Sequence, residues 1–360
     1  MIDKQSLTSD WIDLKRQTYR KADPSIMERM IFALYQLEEL KLAGLNFVFK
    51  GGTCLSLLMK NAKRFSIDLD IILPPDSKQS EIEAILGKVL QDQVFLRFNL
   101  DQKRSFKSGV PKAHYQFIYN SAAINREQDI LLDILFEDNH YPVVLLTPIA
   151  NEWLQQTGEP LLVSTPDVNG ILGDKLTAFA PTTTGVPYGA DKQREIIKQL
   201  FDIGELFDSI DNLETVKSSF TAIASIEIGY RDNRQLTIAD VLDDVVQTGQ
   251  VIANRENQPD QGKIWFDELT EGISQFRNFL YTGSFRIEEA QLASAKAAYL
   301  ASMVKTDYKG PIQRYNNSIP KESYLIQHPQ YNFLNKKLKN VQGGCLFYWN
   351  EALKLIFPIQ

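Results

Sequence analysis

The chain has 360 residues, of which 44% are hydrophobic and 23% charged, and it carries a net charge of -6. That length accommodates two domains or one large domain with an appendage, and the balance excludes a disordered chain and a general polyanion binder, although not a local basic patch. Two distant cysteines, Cys54 and Cys345, and three histidines, His114, His140 and His328, exclude a disulfide scaffold, a zinc site and a histidine-rich metal cluster.

The opening stretch MIDKQSLTSDWIDLKRQTYRK lacks the pattern of a secretory signal, and no apolar run approaches the roughly 20 residues of a membrane span. A cytoplasmic protein without a membrane partner is expected. Asp23-Pro24 then reads as a helix cap with a first-turn proline, and Ile26, Met27, Met30, Ile31, Leu34, Leu37 and Leu40 repeat at helical spacing over 25–42. A short strand over 46–49 runs into the Gly51-Gly52 turn, a helix over 53–61 and a strand over 66–73 closed by Pro74-Pro75. An amphipathic helix over 80–90 precedes a hairpin, 94–100 with 114–119, whose loop carries Lys103, Arg104, Lys107 and Lys112. A third buried strand is expected over 130–136.

This order gives an α/β or α+β domain to about Glu137. Beyond Thr147 the pattern turns mainly helical, over 148–156, 166–180, 191–208, 213–226, 268–280 and 287–304, with a Gly/Pro/Thr loop at 181–190. We place the division at 1–150 for the sheet domain with its N-terminal helices and 151–360 for the helical domain.

Asp68 and Asp70 interrupt an apolar run, Ile67, Leu69, Ile71, Ile72 and Leu73, that reads as a packed strand. Strand residues two apart share a face at about 3.3 Å rise per residue, so the two carboxylates project side by side roughly 7 Å apart along the backbone. On a covered sheet they repel and lose hydration, at a substantial cost unless protonation, a basic partner or a metal compensates. A hard divalent cation with oxygen ligands, Mg²⁺ or Mn²⁺, is one compensation. Asp133, in the middle of DILLDILF, is the candidate for a third carboxylate; Asp129 shares its face but lies at the strand's start. Three carboxylates on neighbouring strands suit two ions about 3.5–4 Å apart that stabilise attacking and leaving oxygens in phosphoryl or nucleotidyl transfer.

Gly51-Gly52-Thr53 opens a helix whose N–H groups suit a phosphate chain, with glycines that let phosphate reach the backbone. A Gly-Gly pair alone is a turn, and Asp-x-Asp alone is common, so the two features inform only together. Lys175 lies in an apolar stripe with Val168, Ile171, Leu172 and Phe179, where it either snorkels or answers a buried anion, a phosphate or an aspartate.

On FVFKGGTCLSLL, KRFSIDLDIIL and, more weakly, ILGDKLTAF with KQLFDIGELF, the chain resembles the AbiEii/AbiGii-type toxin family. These are nucleotidyltransferases of the DNA polymerase β-like superfamily, found in toxin–antitoxin and phage-defence systems. The resemblance spans about residues 45–210. It implies an α+β fold, a mixed sheet domain followed by a mainly helical domain contributing Lys175. It implies further that Gly51, Gly52 and Thr53 hold the triphosphate of a nucleoside triphosphate, and that Asp68, Asp70 and Asp133 bind metal, with Asp133 serving as general base. Lys175 matches the family's lysine and Asp202 its later aspartate, although Lys198-Gln199 stands where Arg-Asp is common. By periodicity Asp202 falls outside the packed arc of its helix, so a solvated acid and a functional one both stay open. Arg64 and Ser66 accompany the motif as nucleotide-side candidates; Arg64 contacts phosphate or caps the turn.

The family's acceptor is the 3′ end of tRNA, and a cognate antitoxin is an implied partner. From Lys305 to Lys339, seven Lys/Arg face two acids, Asp307 and Glu322, interleaved with Tyr308, Tyr315, Tyr324, Tyr331 and Phe333. That mixture suits single-stranded RNA or, equally, a cap packed on the core with a basic outer face. A small hydroxylated acceptor and a non-catalytic nucleotide-binding module are the alternative functions.

Overall fold

The structure, a computed structural model, describes residues 1–105, 110–231 and 235–358. Lys107 of the expected basic loop lies outside the described residues. The chain divides into two compact units, one of Met1–Asp167 with Asn278–Gly283, the other of Val168–Arg277 with Ser284–Gln360.

In the first unit, α1 (Ser9–Thr18) and α2 (Pro24–Leu42) precede β1 (Val48–Lys50), α3 (Gly51–Leu58), β2 (Leu69–Leu73) and α4 (Gln79–Val89). Then come β3 (Phe95–Leu100), β4 (Lys112–Ser121), β5 (Arg126–Phe136), β6 (Val144–Pro148) and β7 (Leu162–Pro166). The strands make one mixed sheet in the order β3-β4-β5-β2-β1-β7-β6. Pairing is parallel for β2 with β5 and β1 with β7, and antiparallel elsewhere. The Asp23 side chain caps α2 through the amides of Ser25 and Ile26, as the Asp-Pro signal predicts.

Two sides of the sheet differ. On β4, Ala113, Tyr115, Phe117 and Tyr119 are buried, as are Ile130, Leu132 and Ile134 on β5 and Leu69, Ile71 and Leu73 on β2. Strand alternation sends the intervening residues, Asp70 and Asp133 among them, to the other face, where both are half-buried. The aspartates therefore do not sit inside the packed face. The core face also holds Glu28 of α2, fully buried, whose carboxylate accepts from Ser121 Oγ and from the amides of Ala122 and Ala123 at 2.8 and 3.1 Å, closing the β4–β5 turn.

The helix expected over 148–156 is absent: β6 ends at Pro148, an Asx turn at Asn151 follows, and β7 returns at Leu162. Trp153 and Leu154 are buried without a helix, Trp153 packing on Phe65 and Tyr281 at 5.0 and 4.8 Å between ring centroids. Two short runs closed by Pro148 and Pro166 pair as strands because β1 offers β7 a parallel edge. Asn278–Gly283 also belongs to this unit, with Phe279 O accepting from Phe65 N at 2.8 Å.

The second unit contains α5 (Val168–Ala178), α6 (Gln193–Phe207), α7 (Leu213–Tyr230), α8 (Ile238–Asn254), α9 (Asp260–Phe276), α10 (Ile287–Lys305), α11 (Leu334–Lys337) and α12 (Cys345–Ile356). α10 is buried along nearly its whole length by small residues, including Ala290, Ala293, Ala295, Ala297, Ala298 and Ala301. A Cβ on Gly204 of α6 would meet that of Ala293 at 2.9 Å, so the glycine permits this close helix contact. The 181–190 loop is pinned: Asp244 of α8 accepts from Thr182 N and Thr183 Oγ1 at 2.8 and 2.9 Å, and Tyr188 stacks on Trp265. Among the described residues, no helix is long and apolar enough to cross a membrane.

Candidate active site

β1 runs straight into α3, and the junction is built around two glycines. Gly51 adopts φ +80°, and a Cβ there would fall 2.1 Å from Asp70 Oδ2. A Cβ on Gly52 would fall 2.7 Å from both Arg64 Nη2 and Ser66 Oγ. Any side chain at either position would displace a charged or polar group, so the diglycine is dictated by what lies against it. Four residues of the motif, Gly51, Gly52, Arg64 and Ser66, thus meet at one place with Asp70.

Thr53 is fully buried, and its hydroxyl donates to Asp68 O at 2.6 Å. Its side chain thereby anchors the residues leading into β2. Arg64 is also buried, its Nη1 donating to Phe65 O at 2.9 Å. Asp68 precedes β2, which starts at Leu69, so the expected strand is three residues shorter at its beginning.

The sheet register lines up four titratable side chains across adjacent strands. Lys50 pairs with Asp70, Asp70 with Asp133, and Asp133 with His114. Paired residues share a face about 4.8 Å apart, so the row reads cation, acid, acid, histidine. His114 Nδ1 lies 2.6 Å from Asp133 Oδ1, and Arg104 Nη2 lies 3.8 Å from Oδ2. His114 and Arg104 were visible in the sequence only as a strand residue and a loop cation; the alternation of β4 puts His114 on its polar face with Gln116.

No three His, Cys, Asp or Glu side chains gather as a metal-binding group among the described residues. Of the three expected carboxylates, Asp70 and Asp133 stand in register, Asp133 is hydrogen-bonded to His114, and Asp68 immediately precedes β2. The in-register pair Asp70 and Asp133 still fits a hard cation, since Mg²⁺ is ordinarily held by one or two carboxylates together with substrate phosphates. Both are oxygen donors, half-exposed, beside a glycine turn able to take phosphate.

The helical unit holds a different arrangement. Lys175 Nζ lies 2.9 Å from Asp202 Oδ2 and 2.9 Å from Gln199 Oε1, and the two charged side chains are 8% and 2% exposed. Of the two readings left open for Lys175, the buried anion holds, and the anion is Asp202. Asp202 is not a solvated acid: α6 is enclosed on more sides than its apolar arc predicts, with Lys198 also buried. A cavity of about 230 Å³ in this unit is lined by Asp174, Thr184, Lys192, Glu227 and Arg231, and by none of the expected site residues.

The basic aromatic tail is largely committed to packing. Tyr324 is buried, with Tyr315 and Phe347 each 6.0 Å away between ring centroids. Tyr331 packs on Phe357 at 5.6 Å. Arg314 donates to Phe207 O and Ile210 O at 2.6 and 2.8 Å, and Lys309 pairs with Asp307 and Glu214. Phe333 and the exposed Lys321, Lys336 and Lys339 remain on the surface.

A mixed sheet presenting paired carboxylates beside a helix-opening diglycine turn suits the chemistry of phosphoryl and nucleotidyl transfer. The family described as nucleotidyl transferase AbiEii toxin, type IV toxin–antitoxin system, matches residues 33–306, and the chain belongs to it. It is accordingly a nucleotidyltransferase, and membership brings a nucleoside triphosphate substrate and a cognate antitoxin. The crystal structure of JHP933 from Helicobacter pylori is similar at 15% identity, covering 78% of this chain and 95% of that one, with a TM-score of 0.43. A second H. pylori structure, described as that of a candidate nucleotidyltransferase, gives 15% identity, 79% and 97% coverage and a TM-score of 0.43. No curated protein matches the chain.

Proposed function

We propose that the chain transfers a nucleoside monophosphate from a triphosphate to an acceptor hydroxyl at the Gly51-Asp70-Asp133 site, with the 3′ end of tRNA as acceptor. The observation that carries the site assignment is the placement of Asp70 between Gly51 and the in-register Asp133. The amides of Gly51, Gly52 and Thr53 receive the phosphate chain, where α3 contributes its partial positive end. Asp70 and Asp133, with Asp68 as a flanking carboxylate, would hold Mg²⁺ or Mn²⁺, which when bound supplies Lewis-acid polarisation of the phosphoryl oxygens.

Asp133 accepts the proton of the attacking hydroxyl as the new oxygen–phosphorus bond forms at the α-phosphorus. The bond from the α-phosphorus to the bridging oxygen of the β-phosphate breaks, and pyrophosphate leaves with that electron pair. Lys175 and Asp202 enter this reading as the ion pair that fixes α5 to α6 within the helical unit, not as an assigned phosphate contact.

The tRNA acceptor and the phage-defence role rest on the resemblance to the family. The surface lysines 321, 336 and 339 are compatible with an RNA acceptor but do not single it out. Presenting α-labelled triphosphates with intact tRNA, with tRNA whose 3′ diol has been destroyed by periodate, and with small alcohols tests the acceptor. Label is expected in intact tRNA alone; equal labelling of small alcohols would replace the acceptor.

A further inference from the structure

Asp133 stands directly beside Asp70 in the sheet, and like charges opposite one another on neighbouring strands repel. Its carboxylate is nonetheless fixed from the opposite side. With Asp133 ionised the carboxylate can only accept, so the Nδ1–H of His114 donates to Oδ1 across 2.6 Å. Oδ2 is held more loosely, its polar partner among the described residues being Arg104 at 3.8 Å.

His114 is itself immobilised. Its amide donates to Ser105 Oγ at 2.9 Å, its carbonyl accepts from Asp101 N at 2.8 Å, and the paired strands β4 and β5 hold its ring against Asp133. Asp101 in turn accepts from the amides of Lys103 and Arg104 at 3.1 and 3.2 Å, so the same turn carries Arg104. From the turn to His114 and on to Oδ1 the links are hydrogen bonds of 2.6–3.2 Å and a strand pairing.

We infer that His114 is a positioning residue for Asp133, binding Oδ1 so that Oδ2 is kept for a divalent cation beside Asp70. The inference rests on the metal-site reading of Asp70 and Asp133. Outer partners that orient a ligating carboxylate or imidazole are worth about 10–100-fold in metal affinity. A side chain that places a donor where Nδ1 stands does the same work, and Asn does so whereas Ala does not.

The test is Mn²⁺ affinity of the full chain, read by electron paramagnetic resonance without nucleotide, alongside thermal melts. His114→Ala is expected to weaken Mn²⁺ binding about tenfold or more, His114→Asn to recover most of it, and Asp133→Asn to abolish the further effect of His114→Ala. Weakened binding in Asp70→Asn with unchanged binding in His114→Ala overturns the positioning role alone. Unchanged binding in Asp70→Asn and Asp133→Asn overturns the metal site and the inference with it. Equal loss in His114→Ala and His114→Asn, with melts unchanged, also overturns it, since the Nδ1 donor would then not be what matters.

Discussion

The two units treat charge in opposite ways. In the helical unit Lys175 and Asp202 face each other in the interior, almost without solvent, and Gln199 accepts a further hydrogen bond from the lysine. In the sheet unit the Asp133 side chain keeps 26% of its exposure, and its neighbour across the parallel pair is another acid. A buried pair of opposite sign satisfies itself and contributes to fold. Two acids in register, bordered by His114, Arg104 and Lys50, instead stay partly open to solvent. Motif residues of equal prominence in sequence thus separate into a buried ion pair and a partly exposed pair of acids.

The comparison is broken most severely in the helical unit. Asp202→Leu leaves the Lys175 ammonium buried beside Gln199 alone, and the melt of the full chain should report a loss of about 3–5 kcal/mol. Lys175→Met combined with Asp202→Leu should recover most of that loss, because well-packed apolar groups replace a buried pair at little cost. A double variant as unstable as the single would assign the pair a role beyond mutual neutralisation.

At the sheet, Gly51→Ala places a methyl 2.1 Å from Asp70 Oδ2 on backbone at φ +80°. A destabilisation of about 1–3 kcal/mol is expected, together with loss of triphosphate binding measured by calorimetry. Unimpaired binding would detach the glycine turn from the carboxylates.

The smallest effect concerns Asp244, whose carboxyl burial pushes above the usual aspartate range, the hydrogen bonds from Thr182 and Thr183 opposing part of the shift. The folded state therefore holds this proton more tightly than the unfolded one. Its stabilising contribution is complete below about pH 4 and is lost as pH rises through the raised value. Asp244→Asn should lack that decline, which paired melts across the acid range would reveal.

Much of this was legible from residue pattern. The helical spacing of Ile26 to Leu40 and the alternation in β4 gave α2 and a sheet strand close to their observed limits, because both bury one periodic face. The positions of Gly51, Gly52 and Asp70 in one motif were readable, but not that Gly51 lies against Asp70, since contact across β1 and β2 depends on register. β6 and β7 escaped because their strand character comes from pairing, β7 to β1 and β6 to β7, not from local sequence. Asp202 escaped because a helix enclosed on several sides buries residues outside its apolar arc. The His114 contact follows from the β4–β5 pairing, which no local pattern around His114 specifies.

The most direct test is transfer by the Asp70→Asn chain. Purified protein is given Mg²⁺, each α-labelled triphosphate in turn and total tRNA, with folding checked by circular dichroism. The account predicts label in RNA for the wild type and at least an about 10²-fold lower rate for Asp70→Asn at unchanged fold. Transfer by Asp70→Asn at the wild-type rate would contradict it.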